Sequence, residues 1–179
     1  MRFILFVFFS FLFFSCELIS ESNSIKGIAL GTQFNIKHDA RLDNSTLKMD
    51  IDSILKKINK SMSTYHSDSD ISKINSGQEV QVDSFFQEVY YKASEVWKST
   101  NGAFDPTVGA LVNAYGFGPD QKFSYELSDI QLDSLLNITG WNKIYLNDKG
   151  VLTKSNKNIT LDFNALAKGY TRWRLFFKT

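Results

Sequence analysis

The sequence has little of three things that would indicate particular kinds of protein: cysteine, histidine and an excess of charge of one sign. Cys16 is the only cysteine in 179 residues, so neither a disulfide nor a thiolate metal cluster can form within the chain. The two histidines, His38 and His66, do not have the spacing of metal ligands. The formal net charge is +1, and no basic stripe alternates with aromatic residues. We therefore expect no nucleic-acid partner.

The sequence also has no apolar run long enough to cross a bilayer. The run at 3–14 is interrupted only by Ser10. It is shorter than the ~20 residues that a membrane-spanning helix needs. With Arg2 before it, the run is typical of the apolar region of a secretory signal.

Cys16 follows this run, and two interpretations remain open. In the first, residues 13–16 form a lipobox: the signal peptide (1–15) is removed, the Cys16 thiol is acylated, and residues 16–24 form a polar tether. Several acyl chains, at ~0.8 kcal/mol per buried CH₂, would anchor the protein stably. In the second, the signal is cleaved and the cysteine is incidental. The lipobox predicts a lipid-anchored protein of the bacterial cell envelope, facing the periplasm or the cell exterior.

The remaining residues, 25–179, are sufficient for one modest domain with a core. Apolar periodicity and turn residues predict its elements. These are a hairpin or two short strands at 25–37, helices at 47–62, 84–99, 107–115 and 128–139, strands at 143–146, 151–154 and 159–163, and a helix starting at 164–170. Residues 63–77 are predicted to form a loop. Helices and strands mix without a regular βαβ order, which predicts the α+β class.

The predicted helix at 107–115 has the clearest start. Asp105 is expected to be its N-cap, and Pro106 its first residue, where the missing N–H costs nothing. A helix start of this kind also favours anionic ligand groups. Asp105 can therefore cap the helix, bind a ligand, or do both.

Three separated segments carry the strongest functional signal, although each alone is weak. They are STYHSDSDISKIN at 63–75, NGAFDPTVGAL at 101–111 and LDFNALAKGY at 161–170. In this order they resemble the ApbE family, whose patterns are S-x-Y-x-x-x-S-x-[IL]-S-x-[IL]-N, G-A-F-D-P-T-V-G-x-L and L-D-x-x-x-x-A-K-G-Y. Gly31 and Thr32 also match the family's M-G-T, with Leu30 in place of the methionine. The resemblance covers about residues 25–171.

The resemblance implies an FAD:protein FMN transferase. Such an enzyme moves FMN from FAD to a threonine or serine hydroxyl of a target protein, with Mg²⁺, and releases AMP. The implied target is a subunit of a membrane redox complex. The implied fold is an ApbE-like mixed fold, with helices packed on antiparallel sheet and the C-terminal part missing. The implied FAD contacts are Leu30, Tyr65, Ala103, Phe104, Asp105, Asp162 and Lys168. The backbone carbonyl of Ala165 is the implied Mg²⁺ ligand, and no catalytic residue is assigned.

The chemistry of these residue types agrees with the implied site. Tyr65 offers a flat face for stacking, although it could instead be a packing residue. The ammonium of Lys168 suits a diphosphate as a point charge. Asp162, Ala165 and Lys168 are spaced by three residues, which predicts that they lie on one side of a strand-to-helix junction.

The sequence departs from the family after Thr171. Family members continue with Val-Asp, a long helix and more than a hundred residues that carry an Asp and a Thr as further Mg²⁺ ligands. Here residues 172–179 follow, without the expected helical period. We therefore expect a frameshifted or truncated chain, and an inactive fragment is one alternative that stays open. Two other functions remain open: a lipoprotein that binds or hydrolyses FAD without transfer, and a non-enzymatic surface lipoprotein.

Overall fold

The computed structural model describes residues 22–39, 41, 43–119 and 126–177. The predicted signal peptide, Cys16 and most of the predicted tether lie outside these residues. The described elements are β1 (Ser22–Ala29), β2 (Thr32–Asp39), α1 (Asn44–Met62), α2 (Asp70–Asn75), α3 (Ser84–Ser99), α4 (Gly109–Ala114), α5 (Asp129–Asn137), a 3₁₀ turn (Trp141–Lys143), β3 (Ile144–Leu146), β4 (Leu152–Lys154) and α6 (Asn164–Phe177). Helices thus combine with two small antiparallel sheets, β1–β2 and β3–β4, which confirms the α+β class. Within the described ranges, no helix has the length and apolar character needed to cross a membrane.

The chain starts with a hairpin whose turn contains Leu30. β1 begins at Ser22, so the last three residues of the predicted tether belong to the hairpin. Ala29 pairs with Thr32, which leaves Leu30 and Gly31 as a two-residue turn with φ of 51° and 70°. Positive φ at both positions is what a tight hairpin turn needs, but it is uncommon for a residue with a side chain. The turn nevertheless lets Leu30 pack against the main core.

Helices α1, α3 and α6 surround that main core. The predicted apolar stripes of α1 and α3 are confirmed, since Ile58, Met62 and Phe86 are almost completely buried. Phe86 meets Phe163 edge to face, with ring centroids 5.1 Å apart. Aromatic pairs of this geometry contribute about 0.5–1.5 kcal/mol beyond the area they bury. The Phe86–Phe163 contact therefore joins the middle of the chain to the residue just before α6.

The prediction of a strand at 159–163 is wrong. The segment is extended and buried, but it does not pair with a strand of either sheet. Ile159, Leu161 and Phe163 are fully buried, as their alternation predicted. The Leu161 backbone, however, pairs with a side chain: Asn75 Nδ2 donates to the Leu161 carbonyl at 2.9 Å, and the Leu161 N–H donates to Asn75 Oδ1 at 2.8 Å. Only one isolated parallel bridge, between Val108 and Thr160, is formed along this segment.

The predicted role of Asp105 as a helix N-cap is also wrong. Helix α4 begins at Gly109, and its N-cap residue, Val108, makes no side-chain cap bond. Residues 106–109 instead run beside the 160–162 segment: the Gly109 N–H donates to the Thr160 carbonyl at 3.0 Å, and the Asp162 N–H donates to the Pro106 carbonyl at 2.8 Å. Any Cβ at position 109 would lie 2.7 Å from the Thr160 oxygen, so the pairing requires glycine.

Two helical stretches were missed by the sequence analysis. The predicted loop at 63–77 contains α2, whose N-cap is Ser69: its hydroxyl accepts from the Ser72 N–H at 3.1 Å and donates to the Ser63 carbonyl at 2.7 Å. At the other end of the chain, α6 continues to Phe177, so the expectation of a non-helical tail after Thr171 is wrong. Leu175 in that tail packs against a second apolar cluster.

A polar clasp fixes α6 against α3. The Tyr170 hydroxyl donates to one oxygen of Glu88 at 2.9 Å, and Arg174 approaches the other at 3.4 Å. The Arg174 guanidinium also lies 4.6 Å from the ring centroid of Phe85. Burial, and then the hydrogen bond to Glu88, hold the pKa of the Tyr170 hydroxyl well above its ordinary value of 10.0.

The substitution Asn75→Ala tests the pairing with Leu161. It leaves the N–H and C=O of a fully buried residue without their partner, and each such group costs about 1–3 kcal/mol. We expect the free energy of unfolding in urea to fall by about 2 kcal/mol or more. The matched control is Asn142→Ala at an exposed position, which should change it by less than about 0.5 kcal/mol. Equal stabilities of the two variants would contradict the pairing.

The Tyr170 clasp predicts a loss of stability in alkali. Because the folded pKa is raised, both states hold the proton below the ordinary pKa of 10.0 and the full stability is present there. Above it the unfolded chain loses its proton first, and stability falls as the pH rises. Between about pH 9 and 11, the melting temperature of Tyr170→Phe should fall less steeply than that of the unsubstituted protein. Tyr145→Phe, at an exposed tyrosine, is the control and should keep the original slope.

Candidate functional site

The first and third sequence segments meet at the start of α6. The Asn164 side chain, at the first position of the helix, donates from Nδ2 to Thr64 Oγ1 at 3.2 Å. The Asp162 carboxylate accepts from the Asn164 N–H at 2.7 Å, so Asp162 holds the first turn of α6 in place. Thr64 is the chain neighbour of Tyr65. These bonds therefore bring the Tyr65 loop to the beginning of α6.

The second segment joins the same place through its backbone. The Asp162 N–H donates to the Pro106 carbonyl at 2.8 Å, so the backbone of Asp162 binds residues 105–109 while its side chain binds α6. All three segments thus converge on Asp162, although they are far apart in the chain. This convergence is the central geometric feature of the site.

Tyr65 is available to a ligand. Tyr65 is 62% exposed, so the described residues leave much of its ring uncovered. Its loop is nevertheless well held, because the Tyr65 N–H donates to Ser63 Oγ at 3.3 Å and the Ser63 carbonyl accepts from Ser69. An exposed aromatic ring on a fixed loop is suited to stacking on a planar ligand.

Leu30 and Lys168 lie in one cavity. This cavity, here called the hairpin cavity, is bounded by the β1–β2 turn, α1 and α6, and has a volume of about 410 Å³. Apolar side chains such as Phe34 and Leu55 form most of its wall. Lys168 is exposed at its edge, and no carboxylate of the described residues lies within 4.0 Å of its ammonium. An apolar pocket with a cation at its mouth is suited to a partly apolar anion.

Asp105 acts mainly as a structural cross-link. One carboxylate oxygen accepts from the Thr107 N–H at 2.8 Å and from the Thr107 hydroxyl at 2.6 Å, and the other accepts from the Trp141 N–H at 2.8 Å. Thr107 is fully buried and in turn accepts from the Gly140 N–H at 2.6 Å. Asp105 thereby joins its own loop to the 3₁₀ turn, and at least three of its four lone-pair directions are used.

Ala103 and Phe104 are placed by local bonds. Their N–H groups donate to the carbonyl and to the hydroxyl of Thr100, at 3.1 and 3.2 Å. Ala103 is exposed, whereas Phe104 is half-buried against the main core. No described contact joins either residue directly to Tyr65, Lys168 or Asp162.

Ala165 faces a different surface from Lys168. It lines an open groove of about 690 Å³ between α3 and α6, together with Leu166 and Gly169. Within the described ranges, no group of three or more histidine, cysteine or acidic residues is arranged to hold a metal ion. A hard cation such as Mg²⁺ needs about six oxygen ligands in octahedral geometry, several of which can be waters or phosphates. One backbone carbonyl therefore does not form a magnesium site by itself.

Several residues that shape the site were not chosen as site residues from the sequence. They are Thr64, Asn75, Thr107 and Asn164. Asn75 and Thr107 lie inside the matched motifs, so the motif itself was a usable signal, but their partners are 86 and 33 residues away in the chain. The Thr64–Asn164 contact spans 100 residues and leaves no local pattern.

Comparisons with known proteins agree with this geometry. The FAD:protein FMN transferase of Vibrio cholerae is 33% identical over 161 residues, which is 87% of this chain and 48% of the relative. That of Haemophilus influenzae is 31% identical over 167 residues, with the same shares. The solved structure of the flavin transferase ApbE from Vibrio cholerae is similar to this chain with a TM-score of 0.80 at 31% identity, and the match covers 87% of this chain and 52% of that one.

The matches cover most of this chain, which spans about half the length of the curated relatives it matches. A model described as the ApbE family matches residues 30–175, which include every described segment of the site. The match extends beyond Thr171 into the last turns of α6. This chain belongs to the ApbE family.

Proposed function

We propose that the complete protein is an FAD:protein FMN transferase, which moves FMN from FAD to a threonine or serine hydroxyl of a target protein. The observation that supports this most directly is the convergence of three separated segments at Asp162, just before α6, the helix that also carries Lys168 in the hairpin cavity. The relatives that carry this name supply the reaction.

The reaction is a transfer of the FMN phosphoryl group. The hydroxyl oxygen of the target forms a bond to the FMN phosphorus, and the bond from that phosphorus to the oxygen of AMP breaks. The hydroxyl proton is lost to a base that remains unassigned, and AMP leaves with the electron pair of the broken bond. Catalysis of such a step consists mainly of positioning and of stabilising negative charge.

The residues of this chain supply positioning and charge. The exposed ring of Tyr65 stacks on the planar part of FAD, and the ammonium of Lys168 stabilises the diphosphate and the charge on departing AMP. Asp162 positions both the start of α6 and the 105–109 loop, and Leu30 contributes apolar contact. Ala103, Phe104 and Asp105 are the remaining proposed FAD contacts, with Asp105 acting through the loop that it cross-links.

We further propose that the complete protein uses Mg²⁺, with the Ala165 carbonyl as one ligand. The described residues do not make up a magnesium site, so the other ligands would have to come from FAD, from water or from residues outside the described ranges.

The lipobox supports a further proposal on location. Acylated Cys16 would hold the protein on a membrane of the bacterial cell envelope, with the domain facing the periplasm or the cell exterior. A target subunit of a membrane redox complex would be within reach of such an anchored enzyme. Mass spectrometry of Cys16 in the mature protein tests the anchor, and an unmodified thiol would contradict it.

A labelling experiment tests the proposed activity. The complete protein is incubated with FAD, Mg²⁺ and a target that carries an Asp-x-x-Ser/Thr-Gly-Ala-Ser/Thr segment. We expect flavin fluorescence that stays with the target through denaturing electrophoresis, together with one AMP per labelled target. AMP and free FMN without a labelled target would instead indicate hydrolysis of FAD. The absence of any FAD binding would leave only a non-enzymatic lipoprotein.

Lys168→Ala tests the contribution of this chain to the site. Removing the ammonium from an exposed contact with phosphate should weaken FAD binding by about tenfold, since charge-assisted hydrogen bonds contribute about 1.5–3 kcal/mol when fully formed. Titration calorimetry measures the change. Lys157→Ala removes a similar exposed charge outside the hairpin cavity and should leave FAD binding unchanged. Equal affinities of the two variants would exclude Lys168 from the site.

A further inference from the structure

Arg172 lies beside Lys168 in the hairpin cavity. The two residues are four positions apart on α6, so they occupy neighbouring turns of one helix face. Both are exposed, and both line the cavity that contains Leu30. We propose that Arg172 is a second phosphate-binding residue, and that Arg172 and Lys168 together bind the diphosphate of FAD. This inference rests on the proposed function.

The charges of the hairpin cavity support this assignment. Its lining includes Lys168 and Arg172 but no aspartate or glutamate. No carboxylate of the described residues lies within 4.0 Å of the Arg172 guanidinium. Two neighbouring cations without an anion repel each other, and an anionic ligand would remove that repulsion. A ligand that carries two adjacent phosphates satisfies both cations at once.

Arg172 differs from the other arginine of this helix. Arg174 is committed to the fold, because it approaches Glu88 at 3.4 Å and lies over the Phe85 ring. Arg172 has no such described contact. Its guanidinium can present several N–H donors to phosphate oxygens in a fixed geometry, whereas Lys168 supplies a compact charge.

The remainder of the cavity suits the non-phosphate parts of the same ligand. Phe34, Leu55 and Leu175 form an apolar wall, and Thr32 and Thr171 are among the other lining residues. A volume of about 410 Å³ is within the usual range for ligand pockets, and it is enough for part of a dinucleotide. The ligand class is therefore a diphosphate that carries a planar aromatic group.

Arg172 has one purely structural alternative. A cation near the C-terminal end of a helix interacts favourably with the helix dipole, without any ligand. In that case a neutral residue at position 172 would lower the melting temperature of the free protein and would not discriminate between ligands. The two roles therefore predict different results.

The test compares FAD with riboflavin, which has the same ring system but no phosphate. Binding to the complete protein is measured by titration calorimetry for the unsubstituted protein, Arg172→Gln, Arg172→Lys and the control Lys157→Gln. We expect Arg172→Gln to weaken FAD binding by about tenfold and to leave the melting temperature and any riboflavin binding unchanged. Arg172→Lys should retain part of the affinity, and Lys157→Gln all of it.

The other outcomes separate this inference from the proposed function. If the unsubstituted protein binds FAD and Arg172→Gln binds it equally well, Arg172 has no role while the proposed function stands. A similar loss of FAD affinity and of melting temperature would assign Arg172 to the fold. If the unsubstituted protein does not bind FAD, both the proposed function and the role of Arg172 are wrong.

Discussion

The pairing of the Asn75 side chain with the Leu161 backbone is the constraint on which the arrangement of the site depends. Leu161 is fully buried, and its N–H and C=O would otherwise lack partners in an apolar surrounding. A single amide side chain provides both a donor and an acceptor, as a neighbouring strand would. The 159–163 segment is thereby held extended without belonging to a sheet. Its other backbone groups remain available to bind the 106–109 loop.

This arrangement explains why the functional residues lie at the ends of elements. Asp162 follows directly after Leu161, so its position is fixed by Asn75 on one side and by the Pro106 carbonyl on the other. Its side chain then holds the first turn of α6. Lys168 and Arg172 occupy later turns of that helix, and the Tyr170 clasp on Glu88 holds the helix against α3. The backbone positions of both cations on α6 are thereby fixed in the absence of ligand.

The sequence predicted those features that depend on nearby residues. The stripes of α1 and α3 follow from a 3.6-residue period, and the helix predicted to start near Ser128 is α5, with Ser128 as its N-cap. The β3–β4 hairpin follows from its turn residues. The prediction of a strand at 159–163 was wrong because alternating apolar residues indicate only that every second side chain is buried. A side chain can form the backbone hydrogen bonds of such a segment as well as a neighbouring strand can. The N-cap prediction for Asp105 was wrong because its carboxylate binds Thr107 and Trp141 instead of the start of α4. Trp141 is 36 residues away in the chain, so no local pattern indicates this contact.

The candidate site was predicted from the sequence only through the resemblance. Spacing alone suggested that Asp162, Ala165 and Lys168 share one side, yet Ala165 lines the groove toward α3 while Lys168 lines the hairpin cavity. The difference arises because Ala165 and Thr171, three residues before and after Lys168, lie about 60° to opposite sides of it around the helix axis. Thr171 lies on the side of the hairpin cavity, and Ala165 lies on the side of the groove toward α3. Residues four apart, such as Lys168 and Arg172, diverge by only about 40° and can share one depression. The geometry of α6 thus favours a two-cation diphosphate contact on the hairpin side, whereas Ala165 is exposed in the groove toward α3.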